Sequence, residues 1–99
     1  MSSPNYGISQ VGYDSQRQHI AQVKQHLITN NTADGGAIVG RLEVVNNLLR
    51  NLTYKTMTWG GQSWNLREDV RIFNMDGTPY IRTDNNNTPS DNLGNLPEF

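Results

Sequence analysis

Ninety-nine residues with a formal net charge of −1 make one small domain at most. No cysteine is present, which excludes disulfides, thiolate catalysis and cysteine-ligated zinc. A hydrophobic share of 34% and a mean hydropathy of −0.68 promise only a small core, one that a partner chain would complete.

No apolar run approaches the roughly 18 residues of a membrane span. Residues 1–5 carry neither the basic nor the apolar region of a signal peptide. A soluble, cytoplasmic protein is expected. Residues 1–6 read as a mobile arm, and 7–99 as a single domain. Ile8 and Val11 lie in a short strand-like stretch ending at a turn over 14–16. Residues 19–29 alternate as a second strand. Ala21, Val23, Gln25 and Leu27 form its more apolar face, which is predicted to point inward. These two strands are expected to pair as an antiparallel hairpin.

Residues 30–36 are polar and glycine-rich, hence a loop. The spacing of Leu42, Val45, Leu48, Leu49 and Leu52 predicts a helix over 38–51 with one apolar stripe. Residues 53–59 are rich in threonine and aromatics and alternate, which predicts a strand with an exposed edge. Gly60 and Gly61 break it, and Trp64 falls in a connector. A further strand is expected over 69–73, a turn at Asp76-Gly77, and a returning strand over 80–83. The tail from Asp84 is irregular, with Leu93, Leu96 and Phe99 as anchors and Pro97 ending any pairing. The predicted fold is α+β: a mainly antiparallel sheet with one helix, in the order β-β-α-β-β-β, and an extended C-terminal segment.

The chemistry points away from catalysis. His19 and His26, seven apart on one strand, face opposite ways and do not pair. Glu68 and Asp69 are adjacent and diverge. There is no phosphate loop, nucleophile elbow or histidine–glutamate metal motif. No catalytic residue, metal or cofactor is assigned, and the protein is expected not to be an enzyme. A pI near 6.0 lacks the basic excess that long nucleic acids require.

Binding chemistry is better represented. Arginine outnumbers lysine six to two. Three of the six, Arg67, Arg71 and Arg82, fall in the aromatic-rich second half with Trp59, Trp64 and Tyr80. Aromatic rings for stacking and arginines for anions are a nucleotide-binding set. Core packing is the competing role for Trp64, Phe73 and Tyr80. Trp59, beside two glycines, is the aromatic expected to be exposed. Asparagine occupies 13 positions, most of them explained by turns.

The stretch Tyr80-Ile81-Arg82-Thr83, followed by Asp91-Asn92-Leu93 and Leu96-Pro97, resembles the ending of a family of short bacterial and phage proteins of unknown function. The motif has two explanations: an arginine–aspartate pair, Arg82 with Asp84 or Asp91, pinning the tail, or a pocket lined by Arg82, Thr83 and Asn92. In size and style the chain is also similar to small phage proteins that sequester immune nucleotide signals. That resemblance implies a homo-oligomer binding a cyclic nucleotide at a subunit interface, without chemistry. The alternative is a protein–protein module, an inhibitor or adaptor, docking through a sheet edge.

Overall fold

The structure, a computed structural model, describes residues 4–15, 19–30, 32–75, 77–83, 91, 93 and 96–99. Its elements are β1 (Tyr6–Tyr13), β2 (Ile20–Thr29), β3 (Thr32–Ala33), β4 (Ala37–Gly40), α1 (Arg41–Leu49), β5 (Tyr54–Trp59), β6 (Trp64–Asp69), β7 (Arg71–Met75) and β8 (Thr78–Arg82). The fold is α+β, as expected. A six-stranded sheet runs β3-β2-β1-β5-β6, with β4 also on β2, and β7 and β8 form a separate two-stranded sheet.

β1 and β2 pair antiparallel. β5 joins the other side of β1 in parallel. A clasp sets that register: Asn5 donates its backbone N–H to the Thr53 carbonyl (3.0 Å) and accepts the Thr53 N–H on its side chain (2.8 Å). Of the arm predicted over 1–6, residues 1–3 lie outside the described residues, Pro4 is buried and Tyr6 opens β1. β5 also pairs with β6, so 53–59 is not an edge. The turn at Gly60, whose N–H donates to the Ser63 carbonyl (2.8 Å), closes the β5–β6 hairpin. Trp64 therefore opens a strand opposite Trp59 rather than sitting in a connector. The strand predicted over 69–73 divides at Val70, whose N–H donates to Tyr54 (3.0 Å). β6 ends before Val70 and β7 begins after it.

Two bulges reset the faces of the central hairpin. The register slips between Ile8 and Gln10 and again between Gly12 and Tyr13. The first slip turns Ser9 and Gln10 to the same side. The second leaves Ala21 unpaired and brings Ile20 to the core with Val23. The predicted inward face of β2 holds at Val23, which is in the core, and at Gln25, which bonds the Tyr54 hydroxyl, but Ala21 and Leu27 are exposed and Ile20 is buried in place of Ala21. His26 is buried on the opposite face, beside Ser9 and Trp64. Strict period two fails wherever one strand carries an extra residue.

The helix is also shorter than predicted. Residues 37–40 pair with β2, and the helix begins at Arg41. Leu42 and Leu49 are 68% and 66% exposed, so they are not on the buried stripe. The inward face is Arg41, Val44, Val45 and Leu48, at spacings of three and four, with a charged residue as its first member. The helix ends in a Schellman arrangement. Leu52 N–H donates to the Asn47 carbonyl (3.0 Å) and Asn51 N–H to Leu48 (3.1 Å), while Asn51 holds a left-handed φ of 68°.

The core lies between the sheet and α1 with the β7–β8 hairpin. Ile8, Val11, Val23, Val44, Val45, Tyr54 and Ile81 fill it, joined by Leu93 and Leu96 from the tail. Phe99 is exposed. Pro97 does not end pairing, because its carbonyl accepts from Val11 N–H (3.0 Å) and Phe99 N–H returns to the Val11 carbonyl (3.0 Å). The tail thus pairs with β1 past the point where β5 leaves it.

Asp91 fastens these parts together. Its side chain is fully buried and accepts from Ile20 N–H (2.7 Å), Ile81 N–H (2.8 Å) and Arg41 Nε (2.6 Å). Arg41 also donates to the Pro79 carbonyl. Replacing Asp91 by Asn leaves the half-buried Arg41 guanidinium without its fully buried counter-charge. We expect Asp91→Asn to lower stability by about 3–5 kcal/mol, read as a shift of the urea midpoint at unchanged slope.

Tyr54 is the large aromatic of the core. Its hydroxyl donates to Gln25 Oε1 and accepts from Asn47 Nδ2 (2.9 Å). Burial pushes it up to about 12, with the Asn47 bond pulling the other way. A folded value above the unfolded value of about 10 adds stability that is complete below pH 10. That contribution is lost as the pH rises through about 12. The urea midpoint should fall between pH 9 and 11.5. Tyr54→Phe should flatten that fall while lowering neutral-pH stability by about 1–3 kcal/mol, through the stranded Gln25 and Asn47 amides.

Candidate functional site

The helix covers one face of the sheet. On the other face, Ser9, Gln10, Lys24, Met57, Thr58, Trp59, Trp64 and Pro97 line a recess of about 450 Å³. Each residue reaches it by register. The bulge turns Ser9 and Gln10 toward it, Lys24 pairs with Gln10, and Trp59 pairs with Trp64. Met57 packs beneath, so closely to β1 that a Cβ at Gly7 would overlap its sulfur.

The aromatic wall is a cluster of three rings. Trp59 and Trp64 meet edge to face at 5.1 Å, and Trp64 tilts against His26 at 5.1 Å. Trp59 is 57% exposed, as expected of it. A smaller recess of about 270 Å³, lined by Thr32, Ala33, Ser63 and the same two indoles, lies on their other side. The indole pair thus presents ring surface to both hollows. Lys24 has no carboxylate within ion-pair distance among the described residues. It leaves a positive charge beside exposed aromatic surface.

Beneath the rim lies a buried polar chain that the spacing of residues did not reveal. Ser9 Oγ lies 2.7 Å from His26 Nε2, and His26 Nδ1 lies 2.8 Å from the Asp34 carbonyl. Asp34 is fixed in turn: its carboxylate accepts from Leu27 N–H (3.1 Å) and Gly36 N–H (2.9 Å). The only sequence signal was the histidine itself; the bulge that turns Ser9 toward it lies in β1.

The other residues expected at a site lie elsewhere. Arg67 is exposed on β6. Arg71 and Arg82 stand opposite each other on the β7–β8 hairpin, with Arg71 exposed and Arg82 buried and partnered. Tyr80 is half-buried and stacks flat on His19 at 5.3 Å. Thr83 follows β8 and is half-buried. Asn92 and Asp84 lie outside the described residues. The structure therefore brings together Trp59 and Trp64 of the expected set, and adds Lys24, Ser9 and His26. It also gives Asp91 an arginine partner, Arg41, fifty residues away in sequence. Trp64, Phe73 and Tyr80 are half-buried rather than members of the buried core, where Tyr54 is the only aromatic.

Among the described residues no group of three histidine or acidic side chains could hold a metal ion. None of the described helices is long and apolar enough to cross a membrane.

Gly36 holds the loop over His26. Its φ of +84° favours glycine, and a Cβ there would lie 2.8 Å from His26 Cε1 and 2.9 Å from Lys24 Cε. Gly36→Ala should cost about 1–3 kcal/mol in left-handed strain and ring displacement. It should also shift the His26 ring resonances, whereas Gly35→Ala, with open space at its Cβ, should not.

No curated protein and no solved structure matches the chain. A family described as "Protein of unknown function (DUF3892)" matches residues 7–97. Those residues span the sheet from the second residue of β1, the helix and the Asp91-Leu93-Leu96 segment, so the chain is a member of the DUF3892 family.

Proposed function

We propose that this protein is a non-enzymatic binder of a small, planar, anionic ligand, held in the recess on the open face of the sheet. The observation that carries this is Trp59, more than half exposed and braced by Trp64, beside Lys24, a cation without an ion-pair partner among the described residues. A large indole held open to solvent by packing behind it is a stacking platform. In its specific form, the ligand is a cyclic nucleotide immune signal, and a phage-encoded oligomer sequesters it in the host cytoplasm.

The open face supports self-association as well. Ile38 and Leu66, both substantially exposed, share it with Trp59, because they pair with Lys24 and Met57. Apolar side chains on an uncovered sheet face are the kind of surface a second copy buries.

A sheet-edge docking module is the second reading, and one observation favours it. β6 is an edge strand of the sheet among the described residues, and Asn65 to Asp69 are all exposed. An unpaired edge is a template for strand addition.

Native mass spectrometry with cyclic di- and trinucleotides and ADP-ribose derivatives decides between them. Retention of one of these by a discrete oligomer, weakened about 5- to 150-fold in Trp59→Ala, is the expected result. Retention of none, together with a protein complex abolished by Arg67→Pro on the β6 edge, would replace this reading with the second.

A further inference from the structure

Resting on the recess as a ligand site, we propose that Ser9 is an obligate hydrogen-bond acceptor within it, selecting ligands whose ring carries an amine or amide N–H. The Asp34 carbonyl can only accept. At 2.8 Å it therefore fixes the proton of the neutral imidazole on His26 Nδ1. Nε2 is then a lone pair, and the Ser9 hydroxyl at 2.7 Å must donate to it. The one proton of Ser9 is committed. What Ser9 offers the recess it lines is oxygen lone pairs alone.

The chain of bonds is held rigidly enough to impose this. His26 is 2% exposed, so little water reaches its ring to offer an alternative partner. Trp64 tilts against the imidazole on one side, and Gly36 closes on Cε1 on another. The Asp34 carboxylate ties its own loop to Leu27 and Gly36, so the carbonyl does not turn away. A ligand group that accepts would face the Ser9 lone pairs and lose its own water. A group that donates finds its partner in place.

Together with Trp59 for stacking and Lys24 for an anion, this defines the ligand class. It is an amino-substituted heteroaromatic ring bearing a phosphate or similar charge, preferred over the same ring with hydrogen or a carbonyl at that position.

Two measurements test it. In the free protein, nitrogen-15 shifts of His26 should show protonated Nδ1 and bare Nε2. The opposite tautomer would overturn the proposal whatever binds. With ligand, adenosine 5′-monophosphate is compared with purine riboside 5′-monophosphate, which lacks only the amine. The adenine compound should bind about tenfold more tightly to the native protein. That preference should vanish in Ser9→Ala and persist in Ser9→Thr. Equal binding of the two by the native protein would overturn the acceptor role and leave the recess as a binding site. Binding of neither, while cyclic nucleotides are still retained through Trp59, would overturn the proposed ligand class alone. Binding of neither with nothing retained would remove the recess itself as a ligand site.

Discussion

The carboxylate of Asp91 joins three segments that the sheet ladder leaves separate. It takes the N–H of Ile20 at the start of β2, the N–H of Ile81 in β8, and the guanidinium of Arg41 at the start of α1. Among the described residues the β7–β8 hairpin shares no strand pairing with the main sheet. Ile72 and Ile81 pack it against the core without fixing a direction, because apolar burial is indifferent to orientation. The buried charge is not. Its hydrogen bonds have fixed angles and must all be made, so the helix start, the hairpin and the tail take one relative arrangement.

The same economy of residues shapes the open face. A bulge at Ser9 turns two successive polar side chains toward the side away from the helix. Without it Ser9 would not share that side with Gln10 and Lys24. The bulge also brings Ser9 within 2.7 Å of His26, whose ring then meets Trp64 and, through it, Trp59. One extra residue in β1 thus generates a polar floor, an aromatic wall and a hollow between them. Only the helix-covered face is needed for the core, and the other is free to carry a recess.

The helix shows how a charged residue disguises a buried face. The predicted stripe of Leu42, Val45, Leu48, Leu49 and Leu52 holds at Val45 and Leu48, but Leu42 and Leu49 are exposed. The stripe that packs is Arg41, Val44, Val45 and Leu48, and its first member satisfies Asp91 rather than the apolar core. Hydrophobic periodicity assigns faces by side-chain polarity, so it cannot see a face whose leading residue is an ion paired fifty positions away. Pro97 misled for a similar reason. It lacks an N–H, yet its carbonyl still accepts from β1.

What the sequence by itself determined is local. Alternating residues in 19–29 and 53–59, the glycine breaks after Trp59 and before the returning strand, and the leucines of the tail specify an α+β domain with one helix. They also mark Trp59 as the exposed aromatic. Period, propensity and turn chemistry act over a few residues and survive transfer to any context. The tertiary structure decided everything that depends on pairing across the chain. It brought Ile20 rather than Ala21 to the inner face of β2, because a bulge shifts the register there, and it made β5 an inner strand, because β6 pairs with its far side. It divided the expected site residues between a recess at the two tryptophans and a hairpin bound to the core. It also assembled Ser9, His26 and the Asp34 carbonyl from two neighbouring strands and a loop. A hydrogen bond needs its atoms within about 3 Å, and no spacing along the chain encodes that distance.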